Sequence, residues 1–128
     1  MENIILPLAP KLIVRINNIR MGMVQSFEER RESDLKRIGS IGTQSATSLL
    51  PTNTRHTLKL HRLLLDPSVF AERVDMHALH GFTLNISNGV TTVIFSQCEF
   101  SLLTCRYESG QVCVEEAEIT AASRSLIV

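Results

Sequence analysis

Apolar and polar residues alternate one by one in several segments of this sequence, and this alternation constrains the fold more than any other feature. In Thr54–Leu65 two leucines alternate with polar neighbours, and in Phe82–Ser87 every second residue is apolar. A period of two is typical of a β-strand with one buried and one solvent-exposed face. Asn88-Gly89 follows the second segment and favours the positive φ angles of a tight hairpin turn. The chain is therefore predicted to be predominantly β.

Other segments rich in β-branched and aromatic residues extend this prediction. The predicted strands are Lys11–Ile16, Arg20–Glu28, Leu35–Ile41, Thr54–Leu65, Phe82–Ser87, Val90–Tyr107 (one bent strand or two) and Gln111–Ala122. Gly22 interrupts the second strand and predicts a bulge or a close backbone contact. The polar run Arg30–Asp34 predicts the solvated tip of a hairpin. Such a set of strands closes as a sandwich or as a barrel-like sheet.

Three segments depart from the strand pattern. Residues 1–10 contain two prolines and are predicted to form an irregular N-terminal arm. The small and polar residues of 39–53 predict a long loop, which compact domains rarely carry without a binding role. Residues 66–80 predict one helix, since Asp66 suits the N-cap and Pro67 the first helical position. This helix is too short to bury itself and is expected to flank the sheet.

The composition excludes several functional classes. A chain of 128 residues corresponds to one domain. Its 13 basic and 13 acidic residues give no net charge, which disfavours a protein that grips nucleic acid. Residues 1–65 nevertheless contain ten Lys/Arg and five Asp/Glu, whereas residues 66–128 contain three and eight. One interpretation is chance; the other is a polar subunit whose basic and acidic surfaces meet on neighbouring copies.

No motif for catalysis or metal binding is present. His77 and His80 lie three residues apart without a supporting carboxylate motif, so neither a metal nor a cofactor is predicted. The protein is predicted not to be an enzyme. Its cysteines, Cys98, Cys105 and Cys113, are odd in number and lack Cys-x-x-Cys spacing, which predicts free thiols, with an inter-subunit cross-link as the alternative.

The run from Ile16 to Phe27, with sequence INNIRMGMVQSF, resembles the opening of tail tube proteins from contractile-tailed bacteriophages. The resemblance continues in order through Arg30-Arg31, Ile38-Gly39-Ser40, Leu49-Leu50-Pro51 and the segment 57–62, and the segment 118–124 is similar to the last strand of that family. The chain departs from the family at Pro51-Thr52, where a Pro-Gly is frequent, and it is shorter than many members.

The resemblance implies two packed antiparallel sheets with one flanking helix, in a subunit of the virion. Such subunits form hexameric rings that stack into a hollow tube inside a contractile sheath, and viral DNA passes through the lumen without specific binding. The expected partners are other copies, the sheath, and baseplate and terminator proteins, with assembly in the host cytoplasm and no membrane binding. A tube-like baseplate or tail-end protein of the same fold remains an alternative, as do a small β-barrel binding module and a small Cys/His hydrolase.

Particular residues are assigned to these expected contacts. The predicted inter-ring contacts are Arg30, Arg31, Lys36, Arg37, Thr43, Gln44 and Leu50. The acidic residues Glu115, Glu116 and Glu118 are predicted to face the lumen, where negative charge would repel DNA phosphates.

Overall fold

The structure, a computed structural model, describes residues 12–39, 48–67, 75–109 and 111–128. These residues form six strands and one short 3-10 helix. The strands are β1 (Leu12–Ile16), β2 (Ile19–Ile38), β3 (Ser48–Leu65), β4 (Phe82–Ser87), β5 (Thr92–Glu108) and β6 (Gln111–Ile127), and the 3-10 helix is Met76–Ala78. The strands pair in the order β1-β2-β3-β6-β5-β4, and β4 pairs with β1 to close a barrel. Every pairing is antiparallel.

The predicted antiparallel β architecture is confirmed, and its closure is that of a barrel. Alternating residues fill the interior, as the period of two in Phe82–Ser87 predicts: Phe82, Leu84 and Ile86 are buried. The rings of Phe82 and Phe100 pack with their centroids 4.7 Å apart. No charged side chain is buried among the described residues, so the core is held by apolar contact.

The long strands bend around this core at positions where the alternation of buried and exposed residues is interrupted. Leu60 and Leu63 are three residues apart yet both fully buried, because Arg62 between them adopts φ +57° and turns the strand. Gln97, with φ +53°, has the same effect between the buried Phe95 and Cys98. Such irregularities increase strand bend and twist, which a closed sheet requires.

Gly22 is a close-contact point, as predicted. A Cβ atom at this residue would lie 1.9 Å from the carbonyl oxygen of Leu64 on β3. Asn17 and Asn18 both have positive φ and form the tight β1–β2 turn. Asn17 also exchanges hydrogen bonds with Thr83 at the start of β4, which ties the turn to the strand beside β1.

The predicted hairpin tip at Arg30–Asp34 is wrong. These residues lie within β2, and Arg30 to Glu32 pair with Thr57 to Arg55 of β3. Leu35 to Ile38 continue the same strand, so no separate strand begins there. The polarity has another cause: Arg30–Asp34 are all exposed or only partly buried, because burial ends before this point of β2, and the alternation of apolar and polar residues is lost.

Other boundaries also differ from the predictions. Ser48–Asn53, predicted to be loop, belongs to β3, and the rest of that segment, residues 40–47, lies outside the described residues. Thr92–Glu108 is one strand, bent at register shifts near Ser101 and Cys105. The last strand continues to Ile127. Residues 68–74 of the predicted 66–80 helix and the predicted arm 1–10 also lie outside the described residues. In the described part of that segment, Met76–Ala78 is a single 3-10 turn in which Asp75 accepts a hydrogen bond from the His77 amide.

Candidate functional site

The four long strands β2, β3, β6 and β5 lie side by side and present a broad polar face away from the core. We call these four strands the long sheet. Its outward face is built from cross-strand rows: Ser26, His61, Glu116 and Thr104; Glu28, Lys59, Glu118 and Leu102; Arg30, Thr57, Thr120 and Glu99. Because side chains alternate along a strand, this face is the reverse side of the barrel wall that buries Leu58, Leu60 and Ile119.

This outward face carries more negative than positive charge. Along these three rows and the adjoining Glu32–Arg55 pair, its carboxylates are Glu28, Glu32, Glu99, Glu116 and Glu118, and its cations are Arg30, Arg55 and Lys59. Lys59 pairs with Glu118 at 3.4 Å, and Glu32 pairs with Arg30 at 2.8 Å and Arg55 at 3.4 Å. Within the described ranges, neither Glu28 nor Glu116 has an ion-pair partner. The unbalanced charge is therefore acidic and is centred on the middle of the sheet.

Two predicted lumen residues, Glu116 and Glu118, lie together on this face. Glu115 sits beside them where the β5–β6 register shifts, and its carboxylate is 3.6 Å from Arg106. Arg106 also contacts Glu108 at 3.4 Å. Leu64 and Cys113 form the floor of a shallow depression beside these charges. The depression is open to solvent, and nothing in it resembles a nucleophile held against a base.

Glu99 on β5 holds His80 and Gly81, the two residues that precede β4, through its carboxylate. Its carboxylate accepts a hydrogen bond from the Gly81 amide at 2.8 Å and lies 3.1 Å from Nδ1 of His80. The hydrogen bond from Gly81 and then the contact with His80 lower the pKa of Glu99. His80 is thus engaged structurally, and no group of three metal-binding side chains occurs among the described residues.

On each side of the long sheet, one edge pairs with no described strand, and we call these two the free edges. From Gln25 to Arg37, the outer edge of β2 pairs with no strand in the described part of the chain. On the other side, β4 pairs with β5 only as far as Cys98, so the outer edge of Glu99–Glu108 is also free of described strands. Unpaired backbone donors and acceptors along such edges are templates for pairing with another chain.

The upper end of the molecule, which we define as the end towards which the β2–β3 hairpin extends, exposes large apolar side chains. Those of the hairpin are Leu35, Ile38, Leu49 and Leu50, and those near the C-terminus are Leu126, Ile127 and Val128. Lys36 pairs with Leu50 and Arg37 with Leu49, so each face of the hairpin carries one cation beside a leucine. Exposed apolar groups of this kind mark contact surfaces.

The predicted inter-ring residues are distributed over the hairpin. Lys36, Arg37 and Leu50 lie together on its projecting part, whereas Arg30 lies lower, on the outward face of the long sheet. Arg31 is one position further along β2 and points to the opposite face. Thr43 and Gln44 lie outside the described residues.

The cysteines differ in accessibility. Cys98 is fully buried in the core, and burial raises its pKa to about 11. Cys105 and Cys113 are partly buried, and burial is also the main cause of their raised pKa values. All three are free thiols. A cross-link through Cys98 would require the barrel to open, so the predicted cross-link is now restricted to Cys105 and Cys113.

The two free edges are the feature of the site that sequence reasoning missed. Strand lengths are poorly marked in a sequence where polar residues continue a strand beyond the core. No helix among the described residues is long and apolar enough to cross a membrane.

Comparisons with solved structures identify the fold. A chain of the sheath-tube complex of an extracellular contractile injection system in its extended state aligns with a TM-score of 0.61 at 13% identity, over 94% of this chain and 90% of that one. A chain of the sheath/tube terminator of such a system aligns with 0.56 at 13% identity, over 98% and 100%. A chain of a gene transfer agent virion aligns with 0.57 at 8% identity, over 91% and 95%.

No family model matches the sequence. No curated protein matches it either. The structural alignments cover almost the whole chain and show that this protein has the tail tube-like fold.

Proposed function

We propose that this protein is a structural subunit, without enzymatic activity, of a tail-type tube, in which six copies form a ring and rings stack into a hollow tube. The observation that carries the proposal is the pair of free edges on opposite sides of the long sheet. Joining these edges between copies removes both of them, which is how natural β-proteins avoid uncontrolled edge pairing.

The strand directions support joining β2 of one copy to β5 of the next. Along the long sheet, β2, β3, β6 and β5 alternate in direction, so β2 and β5 run antiparallel to each other. When the next copy is related to the first by rotation about the tube axis, its β2 runs antiparallel to the neighbouring β5, and strand direction goes on alternating across the contact. Such a contact uses two different surfaces and closes into a ring when the rotation closes.

A ring of this kind would have a wide channel. Four strands from each of six copies make a barrel of roughly 24 strands, and at about 4.8 Å between strands its diameter is about 37 Å before strand tilt widens it. Barrels of about 16–18 strands already leave an aqueous channel. With the polar face of the long sheet turned inward, Glu28, Glu116 and Glu118 line the lumen and repel the phosphates of passing DNA.

The exposed apolar and basic side chains of the upper end support stacking of one ring on the next. Lys36, Arg37 and Leu50 of the hairpin are the contacts that we propose for this step. A contact between the two different ends of a subunit does not close on itself and generates a filament. The outside of the tube is then free to contact a sheath, and the particle that contains it is a phage tail or a related injection system.

A specialised tube-end subunit is the second candidate. Chains from a sheath/tube terminator, from the anti-feeding prophage baseplate and from the anti-feeding prophage tube-terminating cap share the fold. A main tube protein is expected to form long tubes when purified alone, whereas a terminator or baseplate subunit stops at one or two rings. Electron microscopy of the purified protein distinguishes them, and a monodisperse monomer at high concentration would contradict both.

Disulfide trapping tests the edge contact directly. Thr104→Cys on the outward face of β5 is combined with Ser26→Cys, Glu28→Cys or Arg30→Cys on β2, in a background with Cys105→Ser and Cys113→Ser. We expect at least one pair to give an oxidised ladder that ends at the hexamer on a denaturing gel. The matched control pairs Thr104→Cys with Thr57→Cys on the central strand β3, which has no free edge at that position. Absence of a ladder for all three β2 positions would contradict the β2–β5 contact.

A further inference from the structure

The end of the molecule opposite to the β2–β3 hairpin carries the turn between β5 and β6. The last pair of the β3–β6 ladder at this end is Leu64 with Cys113. β5 and β6 remain paired beyond it, as far as Glu108 and Gln111. Because β3 and β6 run antiparallel, β6 begins at the end where β3 finishes, away from the β2–β3 hairpin. We call this end the lower end.

Tyr107 presents an exposed aromatic ring at the lower end. It pairs with Val112 and lies on the same side of β5 as Leu103 and Cys105, which pack against the core. Tyr107 is nevertheless 68% exposed, because the core ends before this position. Tyrosine is frequent at protein interfaces, since its ring is apolar while its hydroxyl group can stay in contact with water. The ring is therefore suited to contact another chain.

The upper end carries aliphatic side chains that suit such a ring. The ladder between β3 and β6 ends at His56 and Ala121, and beyond this pair the two strands do not pair with each other. Exposed apolar side chains lie on both strands beyond this point: Leu49 and Leu50 on β3, and Leu126 and Ile127 on β6. Head-to-tail contact between two copies brings the aromatic ring of one end to the aliphatic groups of the other.

Net charge also favours contact between unlike ends. Residues 19–65, which include β2 and β3, contain eight Lys/Arg and four Asp/Glu, a net charge of +4. Residues 92–127, which include β5, β6 and the turn between them, contain two Lys/Arg and five Asp/Glu, a net charge of −3. The hairpin that projects at the upper end is therefore basic and the one at the lower end is acidic. Opposite charges favour the head-to-tail orientation over contact between like ends.

We propose that Tyr107 anchors head-to-tail stacking: its ring packs among the exposed leucines at the upper end of a second copy of this chain. This proposal rests on the proposed function, to which it adds the surface that meets the upper end of the next copy. A few aromatic anchors carry most of the binding energy in many interfaces. Because the contact uses two different ends, each added copy leaves a new upper or lower end open, and stacking continues.

The single tyrosine allows a direct test with the unmodified protein. The chain contains one tyrosine and no tryptophan, so its tyrosine fluorescence reports on Tyr107 alone. We expect the Stern–Volmer constant for quenching by acrylamide to fall at least threefold between dilute monomer and assembled tubes. Tubes in which Tyr107 is quenched as readily as in the monomer overturn this proposal and leave the proposed function intact. Absence of rings and tubes from the unmodified protein contradicts the proposed function itself.

Substitution then separates stacking from ring formation. We expect Tyr107→Ser to form rings with the thermal stability of the unmodified subunit, but to reduce mean tube length at least tenfold in electron micrographs. Tyr107→Phe, which keeps the ring, should restore at least half of the length. Leu102→Ser is the matched control, because Leu102 is 40% exposed on the outward face of the long sheet, between the two ends.

Two results with these variants overturn the proposal. One is a Tyr107→Ser variant with tubes of normal length. The other is a folded Tyr107→Ser variant that forms no rings, since Tyr107 then belongs to the contact between neighbours within one ring.

Discussion

Gly22 shows how one backbone position can determine whether this barrel closes. The sequence indicates this residue through an isolated glycine in a strand pattern, and the structure supplies the reason, since β2 and β3 approach so closely there that a side chain has no room. Glycine is also suited to its φ of +155°. No comparable sequence pattern marks Arg62 or Gln97, whose positive φ angles turn the strands, because any residue type can occupy a bulge.

We expect Gly22→Ala to prevent stable folding, because the new Cβ atom would overlap the carbonyl oxygen of Leu64 and neither atom can move without moving the backbone. The loss of unfolding free energy should be larger than that of an overpacked core, which is typically about 1–3 kcal/mol. Gly81→Asn is the control, because Gly81 has φ +55° with open space around it and Asn tolerates that conformation. Urea denaturation followed by circular dichroism measures both, and a Gly22→Ala variant as stable as the control would contradict this account.

Cys98 should make folding sensitive to alkaline pH. Its pKa is raised from 9.0 in the unfolded chain to about 11 in the folded protein, because burial disfavours the thiolate. A raised pKa contributes stability that is fully present below pH 9 and is lost as the pH rises towards about 11. We expect Cys98→Ala to show a smaller decrease in unfolding free energy than the native protein between pH 9 and 10.5. Equal decreases would show that Cys98 does not contribute.

At the scale of elements, the sequence predicts the strands that bury a face and fails where strands leave the core. Phe82–Ser87 alternates cleanly and forms β4 over those same residues. Arg30–Asp34 carries only polar side chains and belongs to β2, because cross-strand pairing continues after burial has ended. The free edges of the long sheet are missed for the same reason, since they depend on how far β2 and β5 continue as strands beyond their buried residues.

The β2–β3 hairpin should be important for assembly and nearly irrelevant to folding. Leu35, Leu49 and Leu50 are 62%, 56% and 46% exposed, so their replacement by serine removes little buried surface from the subunit. We expect the triple variant to change the unfolding free energy by less than about 0.5 kcal/mol per site. Tube formation should fall at least tenfold, as measured by sedimentation. The control is Leu58→Ala: because Leu58 is fully buried, this substitution should lower the unfolding free energy by about 2–5 kcal/mol. A triple variant that assembles normally would exclude the hairpin as a stacking contact.

At the scale of the whole molecule, the zero net charge conceals an excess of negative charge on the outward face of the long sheet. The acidic cluster at Glu116 and Glu118 is visible in the sequence, and the structure adds Glu28, which the strand register places in the same row as Glu118. Paired cations such as Lys59 neutralise part of this face, so its excess negative charge comes from Glu28 and Glu116. Sequence alone could not identify that excess, because it depends on which strands are neighbours.

In the proposed tube, reversing this excess should convert a lumen that repels DNA into one that retains it. We expect tubes of the Glu28→Lys, Glu116→Lys double variant to bind duplex DNA, with an affinity that falls steeply with salt because phosphate contacts release counterions. The control is Glu28→Gln with Glu116→Gln, which removes the charge without reversing it and should assemble without retaining DNA. Fluorescence anisotropy with a labelled duplex, measured from about 50 to about 200 mM salt, gives the slope of the logarithm of the binding constant against the logarithm of the salt concentration. This slope reports the number of phosphate contacts. Lysine variants that assemble but bind no more DNA than the glutamine control would place this face outside the lumen.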